Sequence, residues 1–161
     1  MGKRTRAQDG PRDAAQVSPA FDPIRTAELI ESCRAHAGTT AELASITSRS
    51  LHECYEYEES EPHLGLCCEL VGQVLAQVQS ALALLGIVIH DVEPRIHAEE
   101  VAQGCALQLR SLSRAMHVVR ATIFILERFQ LNHPGDVLPA LHDIERGIQF
   151  LIDGLRGVIR Q

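Results

Sequence analysis

The sequence predicts an all-α protein, an elongated antiparallel four-helix bundle. Apolar residues recur at steps of three and four along most of the chain, and prolines separate the apolar segments with short turns. Strand signals are weak, because only 4% of the residues are aromatic and β-branched residues do not alternate with polar ones. Since helices joined by short turns lie antiparallel, an up-down-up-down bundle follows.

The chain has 161 residues, enough for one domain with a single apolar core. Residues 1–21 are rich in Gly, Pro, Ala and charge and lack apolar periodicity, so we expect a disordered leader there. This segment also lacks the apolar stretch of a secretory signal. We therefore expect one helical-bundle domain over residues 22–161.

The first helix is predicted to start at Asp22 and Pro23, a pair that suits a helix N-terminus. Gly38 and the threonines after it could stop one helix and cap another, so we expect a break or kink there. In that case the fold is a three-helix bundle with an extra short N-terminal helix. Pro62 should end the first arm. Its apolar positions are Leu29, Cys33, Leu43, Cys54 and Tyr57.

The segment from Pro62 to His90 has the clearest helical pattern and contains one formally charged side chain, Glu69. Its apolar stripe consists of Leu64, Cys67, Val71, Val74, Val78, Ala81, Leu85 and Val88. A second stripe consists of small residues that would let another helix approach closely: Gly65, Gly72, Ala76, Ala83 and Gly86. We expect this helix to be buried on more than one side, and the small-residue stripe is a candidate interaction surface.

Two further helices complete the predicted bundle. The third begins near Pro94 and has a stripe of Ala98, Ala102, Cys105, Leu109, Leu112, Met116, Val119, Ile123 and Leu126. The turn from Asn132 to Gly135 ends it, and Asp136 is expected to cap the fourth helix. The fourth stripe consists of Val137, Leu141, Ile144, Ile148, Leu151, Leu155 and Val158.

Charge is distributed unevenly. Residues 22–100 carry 4 basic and 14 acidic side chains, a net charge of −10, whereas residues 101–161 carry a net charge of +2. A net −8 on the folded region repels a phosphate backbone, so we expect no nucleic-acid binding. The acidic run before Pro62 contains two tyrosines, which are enriched where proteins meet. This run is a second candidate interaction surface: Tyr55, Glu56, Tyr57, Glu58 and Glu59.

The five cysteines have irregular spacing and an odd count, which argues against a disulfide framework. We expect reduced, buried thiols in a cytoplasmic protein. Cys33 with His36, and His63 with Cys67, have helical spacing suitable for zinc, but no second pair completes either site. We therefore expect no metal and no cofactor.

Catalytic patterns are weak. No Glu lies three residues before any of the eight His, as a carboxylate-bridged metal pair in a bundle would require. His36 is followed by a small residue, but the Lys and Gly expected after a phospho-accepting His are missing. No glycine-rich phosphate loop or nucleophile elbow is present either. The sequence therefore predicts a chain that is not an enzyme.

The apolar second helix is long enough to cross a bilayer, but Gln73, Gln77 and Ser80 extend a polar face along it, so we expect no stable membrane span. The sequence thus predicts a noncatalytic protein-interaction or regulatory bundle. We expect a homodimer through apolar surface left on the second and third helices, together with a protein partner. The alternative is a His-dependent phosphotransfer or metal-binding bundle.

Overall fold

The computed structural model of the chain describes residues 23–57, 61–91 and 98–160. These ranges form four α-helices and contain no strand: α1 (Pro23–Tyr57), α2 (Pro62–Asp91), α3 (Ala98–Arg128) and α4 (Val137–Ile159). The all-α prediction is confirmed. The expected leader and the connecting residues 58–60 and 92–97 lie outside the described residues.

The four helices pack in a ring. α1 and α3 each contact both α2 and α4, so every helix lies between two neighbours. The 35 residues of α1 span about 52 Å at 1.5 Å per residue, which gives the bundle its elongated form. The four-helix prediction is therefore confirmed, and the three-helix alternative is wrong because α1 is one of the four long arms.

Each helix buries a narrow stripe with two positions per seven residues, the pattern of bundles packed like coiled coils. The stripes predicted for α2 and α4 are confirmed where side chains are described. In α2 the buried residues are Leu64, Cys67, Val71, Val74, Val78, Ala81 and Leu85, with Cys68 beside them. In α3 they are Cys105, Leu112, Met116, Val119, Ile123 and Leu126, with Ala115 and Thr122 beside them, and Leu109 is partly buried. In α4 they are Val137, Leu141, Ile144, Ile148, Leu151, Leu155 and Val158, with Ile152 beside them.

The core stripe of α1 differs from the predicted one. Leu29, Leu43 and Cys54 are only partly buried at its flanks. The buried positions are mostly occupied by small residues: Ile30, Cys33, Ala37, Thr40, Ala41, Ala44, Thr47 and Leu51. Alanine and threonine give a weak apolar signal in a sequence, which explains why the larger flanking leucines suggest a false stripe.

The break predicted at Gly38 is wrong, because α1 is helical through this residue. Ala37 and Ala41 are buried on either side of it, and the hydroxyl of Thr39 donates to the Ala35 carbonyl at 3.2 Å. The side chain of Thr39 therefore supports the helix instead of capping a new one. Packing on both sides outweighs the helix-propensity cost of a glycine, about 1 kcal/mol.

Small residues let α1 and α4 approach closely. A Cβ added to Gly147 would overlap the Oγ1 atom of Thr40 and lie 3.3 Å from its Cβ. A Cβ added to Gly154 would overlap Sγ of Cys33. The two contacts lie one heptad apart on both helices, as an antiparallel pair in constant register requires. We call these four residues the α1–α4 seam.

The turn between α3 and α4 closes with a Schellman motif. Gln130 adopts φ 48°, the N–H of Leu131 donates to the Leu126 carbonyl at 3.3 Å, and the N–H of Gln130 donates to the Glu127 carbonyl at 3.4 Å. Asp136 occupies the N-cap position of α4, but its side chain makes no capping hydrogen bond. The predicted side-chain cap is therefore wrong, although the helix boundary is correct.

Candidate functional site

The outer face of α2 is nearly uncharged. It consists of the exposed residues Leu66, Glu69, Gln73, Ala76, Ser80 and Ala83, which recur at helical spacing opposite the core stripe. Leu66 is 42% exposed, and Glu69 is the one charged side chain among these residues. We call this surface the α2 outer face.

The small residues of the stripe predicted on α2 lie in two different environments. Gly65 makes a close contact inside the bundle, since a Cβ there would lie 3.2 Å from Cε2 of Tyr55. Gly72 has open space beside it, and Ala76 and Ala83 are exposed. Most of the stripe is therefore free of contacts with the other described helices. The surroundings of Gly86 lie outside the described residues.

The second predicted surface, the acidic run with two tyrosines, is described only in part, and its described residues differ in exposure. The Tyr55 ring is partly buried and packs against Gly65 and the core, so it joins α1 to α2 instead of projecting from the acidic run. Glu56 is exposed. Glu58, Glu59 and the side chain of Tyr57 lie outside the described residues. Tyr55 is therefore only partly exposed, and a role of this surface in binding stays a prediction.

The outer face of α3 was not singled out by the sequence analysis. Leu107 is 64% exposed and Phe124 is 62% exposed, although both lie on a helix with a complete buried stripe. Exposed Arg110 and Arg114 lie between them. The signal that finds this surface is a second heptad pattern, two residues out of register with the core stripe.

Two of the histidines are held by stacking against phenylalanine rings. His36 stacks on Phe150 of α4 with ring centroids 3.7 Å apart, and its Nδ1 donates to the Ser32 carbonyl at 2.9 Å. His63 stacks on Phe129 with centroids 4.1 Å apart. These contacts link neighbouring helices, which gives both residues a packing role.

Glu61 and His63 form a hydrogen-bonded pair where α2 begins. His63 Nδ1 lies 2.9 Å from Glu61 Oε1, and the backbone N–H of His63 donates to the same oxygen at 3.2 Å. The side-chain hydrogen bond, followed by the backbone one, lowers the pKa of the Glu61 carboxyl. The pair anchors the start of α2, because the acceptor precedes the helix and the donor lies in its first turn.

The histidines and cysteines do not form a metal centre in the described part of the chain. No group of three or more His, Cys, Asp or Glu side chains is placed there to hold a metal ion. Cys33 and Cys67 are buried, whereas His36 is exposed and stacked. Neither of the two Cys–His spacings considered above therefore acquires a third ligand from another described helix.

All five cysteines are free thiols. Burial raises the pKa of the Cys33 and Cys68 thiols, and burial followed by a neighbouring thiol raises the pKa of Cys67 and Cys105 to about 11. Cys54 is only partly buried, and its Sγ donates to the Asn132 carbonyl at 3.3 Å. The five thiols therefore divide into four buried groups and one accessible group.

We expect N-ethylmaleimide at pH 8 to modify Cys54 before any other cysteine in the native protein. The thiolate is the reactive form, and burial both blocks the reagent and disfavours the thiolate at the other four sites. Peptide mass spectrometry over a time course gives the rate at each site. Labelling of Cys67 or Cys105 as fast as Cys54 would contradict the assigned burial, and labelling in urea provides the control in which all five react.

The helix α2 also passes a length and composition test for a membrane span. The segment Pro62–Leu85 has 24 residues and a mean hydropathy of 1.4, and 33% of its most apolar window is buried inside the bundle. Core helices of soluble proteins pass the same test, so this is weak evidence for a span. The informative part is the low burial, because it leaves apolar surface on α2 uncovered.

Comparison with known proteins gives no relative from which residue roles could be transferred. No protein-family model matches the chain, and neither the curated proteins nor the solved structures contain a significant match.

Proposed function

We propose that this chain is a noncatalytic protein-interaction module, a cytoplasmic helical bundle that self-associates and binds a partner protein. The observation that carries the proposal is the α2 outer face. α2 is the most apolar helix, yet only 33% of its most apolar window is buried. Packing of another helix on this face would cover the apolar side chains of Leu66, Ala76 and Ala83, which lie beside the polar Glu69, Gln73 and Ser80.

The small side chains of the α2 outer face suit a second copy of the chain. Antiparallel packing of two α2 helices with Ala76 at the two-fold axis would bring two flat surfaces together. The two Glu69 carboxylates would then lie about 21 Å apart along the helices. That separation exceeds the Debye length of about 8 Å at physiological ionic strength, so their repulsion is screened.

Self-association is assigned to α2 rather than to α3. The exposed leucine and phenylalanine of α3 lie among arginines, whose repulsion opposes a symmetric contact. The cytoplasmic location is supported by the five free cysteines, four of them buried, because free thiols persist in a reducing compartment.

We expect Ala76→Arg to raise the dimer dissociation constant at least tenfold, because it places two guanidinium groups at the two-fold axis. Sedimentation equilibrium over a range of protein concentrations measures this constant. Ala35→Arg is the matched control, since Ala35 is an exposed alanine of α1. Circular dichroism of both variants confirms that the helices are intact.

Sedimentation of the wild-type protein can also contradict the proposed self-association. A wild-type protein that sediments as a monomer at the highest concentration reached would remove the self-association. If that monomer also floated with phosphatidylcholine vesicles, a membrane would replace the second copy as the cover for α2.

A further inference from the structure

A straight row of side chains runs along the solvent side of α3 for about 32 Å. Its residues recur at steps of three and four, with one step of seven from His117 to Phe124, so they form a second heptad stripe on a helix that already buries one. All of them are exposed. We call this row the α3 outer stripe, and it consists of Leu107, Arg110, Arg114, His117, Phe124 and Arg128.

The arginines of the α3 outer stripe are unpaired. Within the described part of the chain, Arg110, Arg114 and Arg128 make no hydrogen bond or ion pair. Arg120 provides the contrast, because its Nε donates to Oε1 of Glu145 in α4 at 2.8 Å. The ion pair holds Arg120 at the edge of the stripe, whereas the other three guanidinium groups are available to a partner.

Two apolar side chains belong to this row, one at its start and one just before its last arginine. Leu107 and Phe124 are 64% and 62% exposed and lie about 26 Å apart along the helix axis. Phenylalanine and arginine are both enriched at the surfaces where proteins meet. The stripe therefore offers both apolar anchors and positive charge to a partner.

We infer that the α3 outer stripe binds an acidic amphipathic helix of a partner protein. The inference rests on the proposed protein-binding function and specifies the chemistry of the partner. A helix matches the heptad spacing and the length of the stripe, and carboxylates complement its three guanidinium groups. Between residues 102 and 128, the one acidic side chain of α3 is Glu127, which flanks the stripe and leaves its charge positive.

A second copy fits this stripe less well. A symmetric pair of α3 helices would place the six arginines of two stripes in one contact. The outer side of α1 carries glutamates, but α1 and α3 lie diagonally across the ring of helices. Packing α1 of one copy on α3 of the next would therefore be head to tail and would not close into a dimer.

Two other classes of partner are disfavoured by the same observations. A nucleic acid would meet a folded region with a net charge of −8 over residues 22–161. A membrane surface favours a continuous apolar face, whereas here arginines separate two isolated apolar side chains. An acidic helix places its carboxylates and its apolar side chains at the spacing that the stripe presents.

The probe for this inference is a fluorescein-labelled peptide of four heptads, with Ile and Leu at the a and d positions and Glu at e and g. Repulsion between its glutamates disfavours pairing of the peptide with itself. We expect fluorescence anisotropy to show binding to the full chain that weakens with added NaCl. The same peptide with Lys in place of Glu should not bind.

Substitutions in the α3 outer stripe test whether the acidic peptide binds there. Arg110→Glu combined with Arg114→Glu should raise the dissociation constant of the acidic peptide at least tenfold, and Phe124→Ala should also weaken binding. The matched control Arg49→Glu, at an exposed arginine of α1, should leave it unchanged. The milder variant Arg114→Gln repeats the test if the double charge reversal reduces helicity measured by circular dichroism.

Three results would overturn the inference: equal binding of the acidic and basic peptides, no effect of the α3 variants, or binding to duplex DNA or anionic vesicles without binding to the acidic peptide. Sedimentation of the α3 variants tests the two proposals separately. Because self-association is assigned to α2, substitutions in the α3 outer stripe should leave the dimer intact. A wild-type protein that forms the dimer but does not bind the acidic peptide contradicts only the α3 inference. A monomeric wild type that binds the peptide contradicts only the dimer.

Discussion

Replacement of Gly147 with alanine is expected to lower the free energy of unfolding by about 1–3 kcal/mol, the usual cost of overpacking a well-packed contact. The new Cβ would overlap the hydroxyl of Thr40 in α1, and Thr40 is 5% exposed. Cβ and Cγ2 of Thr40 also lie 3.3 Å from the added atom, so rotation of this short, branched side chain gives little room, and we expect α1 and α4 to move apart. Urea denaturation followed by circular dichroism measures the change.

A double-mutant cycle tests whether the α1–α4 seam causes this loss. Thr40→Ala removes the overlapping hydroxyl, so Gly147→Ala should cost less in that background than in the wild type. Gly38→Ala is the matched control, because no atom lies within 4 Å of an added Cβ there. It should stabilise the protein by up to about 1 kcal/mol, the difference in helix propensity between alanine and glycine. Equal effects at Gly147 and Gly38 would contradict the close approach.

Most of the fold follows from the sequence. α2, α3 and α4 place large apolar residues at their core positions, so the pattern of three and four identifies the buried stripe directly. Pro62 and the turn before Asp136 mark helix boundaries, because proline and short polar turns interrupt helical hydrogen bonding. In these three helices, local sequence preference and tertiary packing agree.

α1 shows where this reasoning fails. Its core positions hold Ala37, Thr40 and Ala44, which bury little apolar surface and produce little periodic signal. They are buried because α4 approaches closely at Gly147 and Gly154, and that approach depends on both helices together. The spacing of apolar residues along one helix does not show how closely a second helix approaches it. Glycines one heptad apart on α4 are the signal that indicates this contact.

The candidate surfaces were predictable to different degrees. The small residues and the low charge of the α2 outer face were visible in the sequence, but only the structure shows that this face is exposed and does not pack on another described helix. The α3 outer stripe was hidden, because Leu107 and Phe124 resemble core residues until the buried stripe of α3 is located. The basic row becomes a candidate binding surface only once its arginines are seen to make no ion pair with the residues that the structure describes.

Truncation of Leu51 to alanine is expected to lower the free energy of unfolding by about 2–5 kcal/mol, because it removes buried methyl groups and leaves a cavity. Leu51 is fully buried in α1, whereas Ile46, on the outer side of the same helix, is 49% exposed. Ile46→Ala is therefore the control, with an expected change near 0.5 kcal/mol.

Comparison of Leu51→Ala with Leu43→Ala shows which of the two possible stripes of α1 faces the core. The observed core stripe makes Leu51→Ala more costly than Leu43→Ala, because Leu43 is only partly buried at its flank. The stripe suggested by the larger leucines reverses this order. Urea denaturation at one fixed protein concentration provides the comparison, because self-association would otherwise add a concentration-dependent contribution to stability. A larger loss for Leu43→Ala than for Leu51→Ala would show that α1 presents the other face to the core.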